Sequence, residues 1–110
     1  MEPLQLFKCL SDPTRLHCTY LIYQAGEICV CDLAEILDES QPKISRHLAQ
    51  LRHCGLLVDT RKEKWVYYSI NPKLSRWTKN ILKQIQKADT PSFSTLNKKL
   101  NHHTVNINCC

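Results

Sequence analysis

The apolar positions of this chain follow two different periods, and the change falls at Gly55. Before it they recur every three or four residues, which is the mark of helices that bury one face. Leu4 and Phe7, with Leu6 and Leu10, predict a short first helix over Pro3 to Leu10. Ser11-Asp12-Pro13 then supplies a cap and a proline suited to the first helical position, opening a second helix that runs to about Ala25 and stops at Gly26. Its inward stripe is expected at Leu16, Tyr20 and Tyr23. A third, short helix carries Asp32 near its start and Leu33, Ile36 and Leu37 at helical spacing, and Asp38-Glu39 forms a brief turn. Ser40 caps a fourth helix with Pro42 in its first turn, Ile44, Leu48 and Leu51 as its stripe, and Gly55 as its stop.

After Gly55 the period becomes two, so Leu57 to Thr60 and Trp65 to Ile70 read as strands joined by the tip Arg61-Lys62-Glu63-Lys64. Asn71-Pro72 opens a last helix to about Ala88, striped by Leu74, Trp77, Ile81 and Ile85. From Asp89 onward the chain is polar and weakly periodic, which predicts a flexible tail ending in Cys109-Cys110. The expected fold is mainly α with a small β-hairpin, in the order α-α-α-α-β-β-α: a winged helix-turn-helix domain over residues 1–88 and a tail over 89–110. A last helix with a large aromatic on its stripe has little core left to join, and it is expected to pack on a second copy of the chain.

Charge placement gives this fold a use. The net charge is +5 over 110 residues and the isoelectric point is about 8.9, which favours a polyanionic partner without identifying it. The stretch from Ser40 to Gly55 contains no Asp or Glu, so Lys43, Arg46 and Arg52 meet no acid within it. A short helix, a tight turn and a basic helix make the arrangement that enters a DNA major groove N-terminal end first. Gln41, Ser45, Arg46 and His47 are then nearest the bases, behind the capping Ser40, and Lys43, Arg61, Lys62 and Lys64 are placed to neutralise phosphates. With two glycines in the chain there is no phosphate-cradling loop, and no hydrolase or metalloprotease motif appears, so an enzyme is not expected.

Seven cysteines add a second kind of chemistry. The N-terminal stretch has no apolar run like that of a signal peptide, and no segment approaches membrane-spanning length, so a cytoplasmic protein with reduced thiols is expected. Cys29-Val30-Cys31 is then the informative pair. Thiols at i and i+2 face apart on a regular helix but alike on an extended segment, where their Cα atoms are about 6.6 Å apart at a rise of roughly 3.3 Å per residue. On that reading one soft ion bound by both would oppose helix formation there and disturb the DNA-reading helix that follows. Cys9, Cys18 and Cys54 read as small buried apolar residues, whereas the vicinal pair Cys109-Cys110 is not explained by packing. A thiol redox regulator pairing Cys29 or Cys31 with that tail, or a regulator that responds to cadmium or lead, is the alternative.

The segments EICVCDL (Glu27 to Leu33), SQPKISRHLAQLR (Ser40 to Arg52), GLL (Gly55 to Leu57) and KWVYYSI (Lys64 to Ile70) closely resemble the arsenical-responsive repressors of the ArsR/SmtB family. The resemblance spans about Leu4 to Ala88. It implies a homodimer through the first and last helices that represses an arsenic-resistance operon, needs no cofactor, and leaves double-stranded operator DNA on binding arsenite or antimonite. Cys29 and Cys31 match the family's metalloid thiolates, with Cys109 or Cys110 as candidate third ligand, because the third cysteine that usually follows the leucine in the enterobacterial form of the family is replaced by Ala34. Glu63 stands at the wing tip where the family often has glycine. Related cadmium and lead sensors share the paired cysteines but add a cysteine-bearing N-terminal arm that this sequence lacks. The family's zinc site needs His and Asp on the last helix, and Asn71 to Ala88 contains neither.

Overall fold

A computed structural model describes residues 1–103 of the chain. Helices α1 (Pro3–Leu10) and α2 (Pro13–Ala25) precede a two-residue strand β1 (Ile28–Cys29) and the helices α3 (Val30–Leu37) and α4 (Gln41–His53). Strands β2 (Leu57–Lys62) and β3 (Trp65–Ile70) and helices α5 (Arg76–Gln86) and α6 (Pro91–His102) follow. The mainly helical winged helix-turn-helix expectation therefore holds, with two additions. The sheet has a third strand, β1, and the helical part continues past residue 88.

Helix α2 is the central element. Asp12 caps it by accepting the Arg15 backbone N–H at 3.0 Å, and Pro13 starts it where no donor is lost. Cys18, Thr19, Tyr20, Leu21 and Ile22 are all buried, because α1, α3, α4, α5, α6 and β3 pack around it. The expected stripe of Leu16, Tyr20 and Tyr23 is thus too narrow and partly wrong: five consecutive residues in the middle of the helix are buried, while Tyr23, in its last turn, is exposed.

The sheet order is β1-β3-β2, antiparallel throughout. Lys62 pairs with Trp65, so β2 extends two residues beyond the expected end and the turn is Glu63-Lys64 alone. Glu63 takes φ 57, the left-handed conformation that glycine adopts without penalty. The helix expected from Asn71-Pro72 begins only at Arg76. Asn71 instead ties the wing to the end of α4: its Nδ2 donates to the Gly55 carbonyl and its Oδ1 accepts the Lys73 N–H, both at 2.9 Å.

The expected flexible tail from Asp89 is corrected for Pro91–His102, which form α6. Thr90 caps it by accepting the Phe93 N–H, and Phe93 and Leu96 are buried. Phe93 stacks on Tyr20 with ring centroids 4.3 Å apart, and Gln24 Nε2 donates to Asn97 Oδ1 at 2.9 Å. The signals were present in the sequence: a Thr-Pro start, then Phe93, Leu96 and Leu100 at i, i+3 and i+7, outweighed by the polar residues between them. Cys109 and Cys110, the candidate third ligands, lie outside the described residues.

Candidate nucleic-acid interface and thiol site

Ser40 caps α4 by accepting the Lys43 backbone N–H at 3.3 Å, and Ile44, Leu48 and Leu51 are fully buried. Burial of that stripe turns Gln41, Ser45 and Arg46 outward, all of them exposed. His47 differs. Its ring turns back toward the start of α2, with Nδ1 3.7 Å from Asp12 Oδ2, too far for a hydrogen bond, and the side chain is 18 % exposed. The Arg15 N–H, joined by the nearby His47 and the Arg15 guanidinium, holds the Asp12 carboxyl below its ordinary value.

The cations expected at phosphates fall into two groups. Lys43 Nζ lies 3.0 Å from Glu39 one turn earlier, and Lys62 pairs with Glu27, whose hydrogen bond raises the lysine's pKa. Neither acid belongs to the stretch that looked unopposed. Arg61 and Lys64 are exposed on the wing, with Lys64 Nζ 5.1 Å from the centre of the Trp65 ring. Arg52, on the same helix, reaches Asp59 at 3.4 Å and so braces α4 against β2.

The two thiols sit where strand becomes helix. Cys29 ends β1 and is the N-cap of α3, with φ −90 and ψ 163, while Cys31 lies in the first helical turn. The extended backbone at Cys29 lets its side chain turn toward the helix, and the two sulfurs stand 3.4 Å apart. The expectation that a shared ion requires the helix to unwind is therefore corrected: the sulfurs already converge with Cys31 helical. Cys29 is buried and its thiol reaches Asp32 Oδ2 at 3.2 Å. Asp32, 4 % exposed, also meets His103 Nε2 at 2.7 Å through its other oxygen. Cys29, Cys31 and Asp32 could together hold an ion, as could Asp32, Glu35 and His103.

Sequence reasoning placed Asp32 only as a residue of the first turn of the third helix and His103 in a flexible tail, so neither was assigned to the pair Cys29 and Cys31. Asp32 follows Cys29 by three residues, the N-cap to N3 spacing of a helix start. His103 follows Leu100 by three and so continues the buried stripe of α6. Two routes lead from the thiols to α4 and to the hairpin of β2 and β3. Through α3, the Asp38 turn (φ 53) delivers the chain to Ser40. Through the sheet, Cys29 pairs with Tyr67 on β3, the wing strand.

Residues 12–58 match the family model described as bacterial regulatory protein, arsR family. The chain is 51 % identical over 89 residues to the arsenic resistance transcriptional regulator ArsR1 of Pseudomonas putida, covering 81 % of this chain and 70 % of that one. It is 45 % identical over 98 residues to the arsenical resistance operon repressor of Escherichia coli, covering 89 % and 84 %. Among solved structures it resembles the antimony-specific transcriptional repressor AntR, with a TM-score of 0.63 and 26 % identity over 74 % of this chain and 70 % of that one.

Proposed function

The chain belongs to the arsR family of bacterial regulatory proteins, transcriptional regulators rather than enzymes, and we propose that it is a cytoplasmic homodimer released from operator DNA by arsenite or antimonite at Cys29 and Cys31. The observation that carries the reading is the 3.4 Å separation of the two sulfurs at the junction between the wing and the helix-turn-helix. If each sulfur binds one centre at about 2.3 Å, the S–centre–S angle is roughly 95°. That suits a pyramidal trivalent centre with a lone pair better than the tetrahedral angle of zinc, and thiolates favour soft acceptors.

The third sulfur is supplied by Cys109 or Cys110. The contact of His103 with Asp32 brings the chain to the site, and six further residues can span at most about 20 Å, enough to return a thiol to it. Metalloid binding replaces the contact between Cys29 and Asp32 and pulls on the first turn of α3 and on β1 together. Both the recognition helix and the wing then shift from their DNA-reading positions. Gln41, Ser45 and Arg46 face the bases, Arg61 and Lys64 lie by the phosphates, and Lys43 and Lys62 exchange Glu39 and Glu27 for phosphate on binding. His47 supports α4 from behind. The dimer forms through α1, where Leu4 is 66 % and Phe7 55 % exposed, and α5.

Operator release titrated with arsenite, antimonite, cadmium and zinc tests this reading. Arsenite and antimonite release the wild type at lower concentrations than cadmium or zinc. Cys29→Ser binds operator as tightly as the wild type yet is not released, while Arg46→Ala weakens operator binding by about 1–3 kcal/mol. Release of Cys29→Ser by arsenite at the wild-type concentration would place the effector site elsewhere.

A further inference from the structure

A second thiol pair lies away from the metalloid site. Cys9, near the end of α1, is joined in a disulfide to Cys54, which caps the C-terminal end of α4, across 45 residues of sequence. Sequence reasoning took both as small buried residues, but both are only partly buried. Cys9 lines an open groove of about 560 Å³ with Gln5, Lys8, Arg15 and Gln50, and Cys54 lines a neighbouring one of about 400 Å³ with Gln5 and Gly55. Leu4 borders the same groove, while Phe7 lies roughly 160° around α1 from Cys9 and does not.

Hydrogen bonds link the two helix ends beside the disulfide. Arg15 Nε donates to the Cys9 carbonyl and its Nη1 to Gln50 Oε1, both at 2.7 Å, and Gln5 Nε2 donates to the Cys54 carbonyl at 3.5 Å. Arg15 and Lys8 line the groove with Cys9, which leaves its sulfur beside solvent. Cys18 shows the contrast: burial pushes its thiol up to about 12, which keeps it protonated and inert. A protein that binds DNA works in a reducing compartment, where a disulfide is conditional and more often regulatory than structural.

We propose that Cys9 and Cys54 form a reversible oxidation site that takes a hydroperoxide and, when closed, braces the recognition helix against α1. The thiolate of one cysteine attacks the peroxide oxygen and the O–O bond breaks, giving a sulfenic acid and, from hydrogen peroxide, one water. The second thiolate attacks the sulfenic sulfur, the S–S bond forms, and the departing hydroxide takes a proton as a second water. Two thiols thus lose two electrons to the peroxide, and a dithiol reductant returns them. Because the closed form ties the C-terminal end of α4 to α1, oxidation removes part of the ordering cost of binding and tightens the grip on DNA.

The test uses the full chain carrying Cys29→Ser and Cys31→Ser, so that the metalloid site cannot respond, and an operator duplex selected from a random pool by the reduced protein. After stoichiometric hydrogen peroxide, peptide mapping finds the Cys9–Cys54 crosslink, and dithiothreitol removes it. Amide exchange slows in the last turn of α4, and operator Kd falls by about fivefold. Adding Cys9→Ser or, separately, Cys54→Ser abolishes all three changes. Cysteines that stay open to alkylation after peroxide overturn the proposal, as do unchanged amide exchange in α4 or an operator affinity that is unchanged or weaker.

Discussion

Asp12 shows how much one side chain can join. It caps α2, faces His47 on the recognition helix, and its carboxyl is held below the ordinary value chiefly by the Arg15 N–H. A depressed folded-state pKa stabilises the fold above the unfolded value, and this contribution is lost as pH falls through the folded one. Asp12→Ala is therefore expected to cost about 1 kcal/mol in urea unfolding at pH 7, with the difference from wild type shrinking below about pH 4. Glu63 gives the opposite sign. Its φ of 57 is strained for a residue with a Cβ, so Glu63→Gly should raise stability by about 1 kcal/mol at the same readout. The sequence pointed to this residue because glycine is common at that turn, but only the backbone shows that glutamate adopts the glycine conformation.

At the scale of elements, α6 changes the picture most. It covers α2 with Phe93 and Leu96 and ends on Asp32, so it links the helical core to the thiol site. Phe93→Ala should destabilise the protein by about 3 kcal/mol in denaturant unfolding, because a buried ring stacked on Tyr20 leaves a cavity. An α6 that contributed nothing to the fold would give wild-type stability. The recognition helix, by contrast, was legible in the amino-acid sequence alone. Ser40, Pro42, the Ile44-Leu48-Leu51 stripe and Gly55 are local signals, and local signals suffice for a helix whose caps and period agree. The two-residue strand β1 was not legible, since so short a strand has no period of its own and exists only through pairing with Tyr67 and Tyr68.

For the whole molecule, the exposed pair Leu4 and Phe7 belongs to a chain whose other large apolar side chains are mostly covered. If these residues form the dimer contact, Leu4→Glu combined with Phe7→Glu gives a monomer in light scattering and loses operator binding while helical circular dichroism is retained. A variant that stays dimeric places the contact elsewhere. The sequence by itself determined the order of the first five helices, the basic recognition helix, the wing and the pair Cys29 and Cys31, because periodicity, caps and turn residues act over a few neighbours. It also carried the family resemblance, which the similarity to arsenical repressors supports. Only the tertiary structure decided which side chains complete the thiol site and which cysteines meet. Asp32 and His103 are 71 residues apart, and Cys9 and Cys54 are 45 apart. No local pattern encodes such contacts, because they form only when the burial of several apolar faces at once fixes how α1, α3, α4 and α6 pack around α2. The recognition helix is thus a local product of its sequence, while what holds it in place comes from the packing.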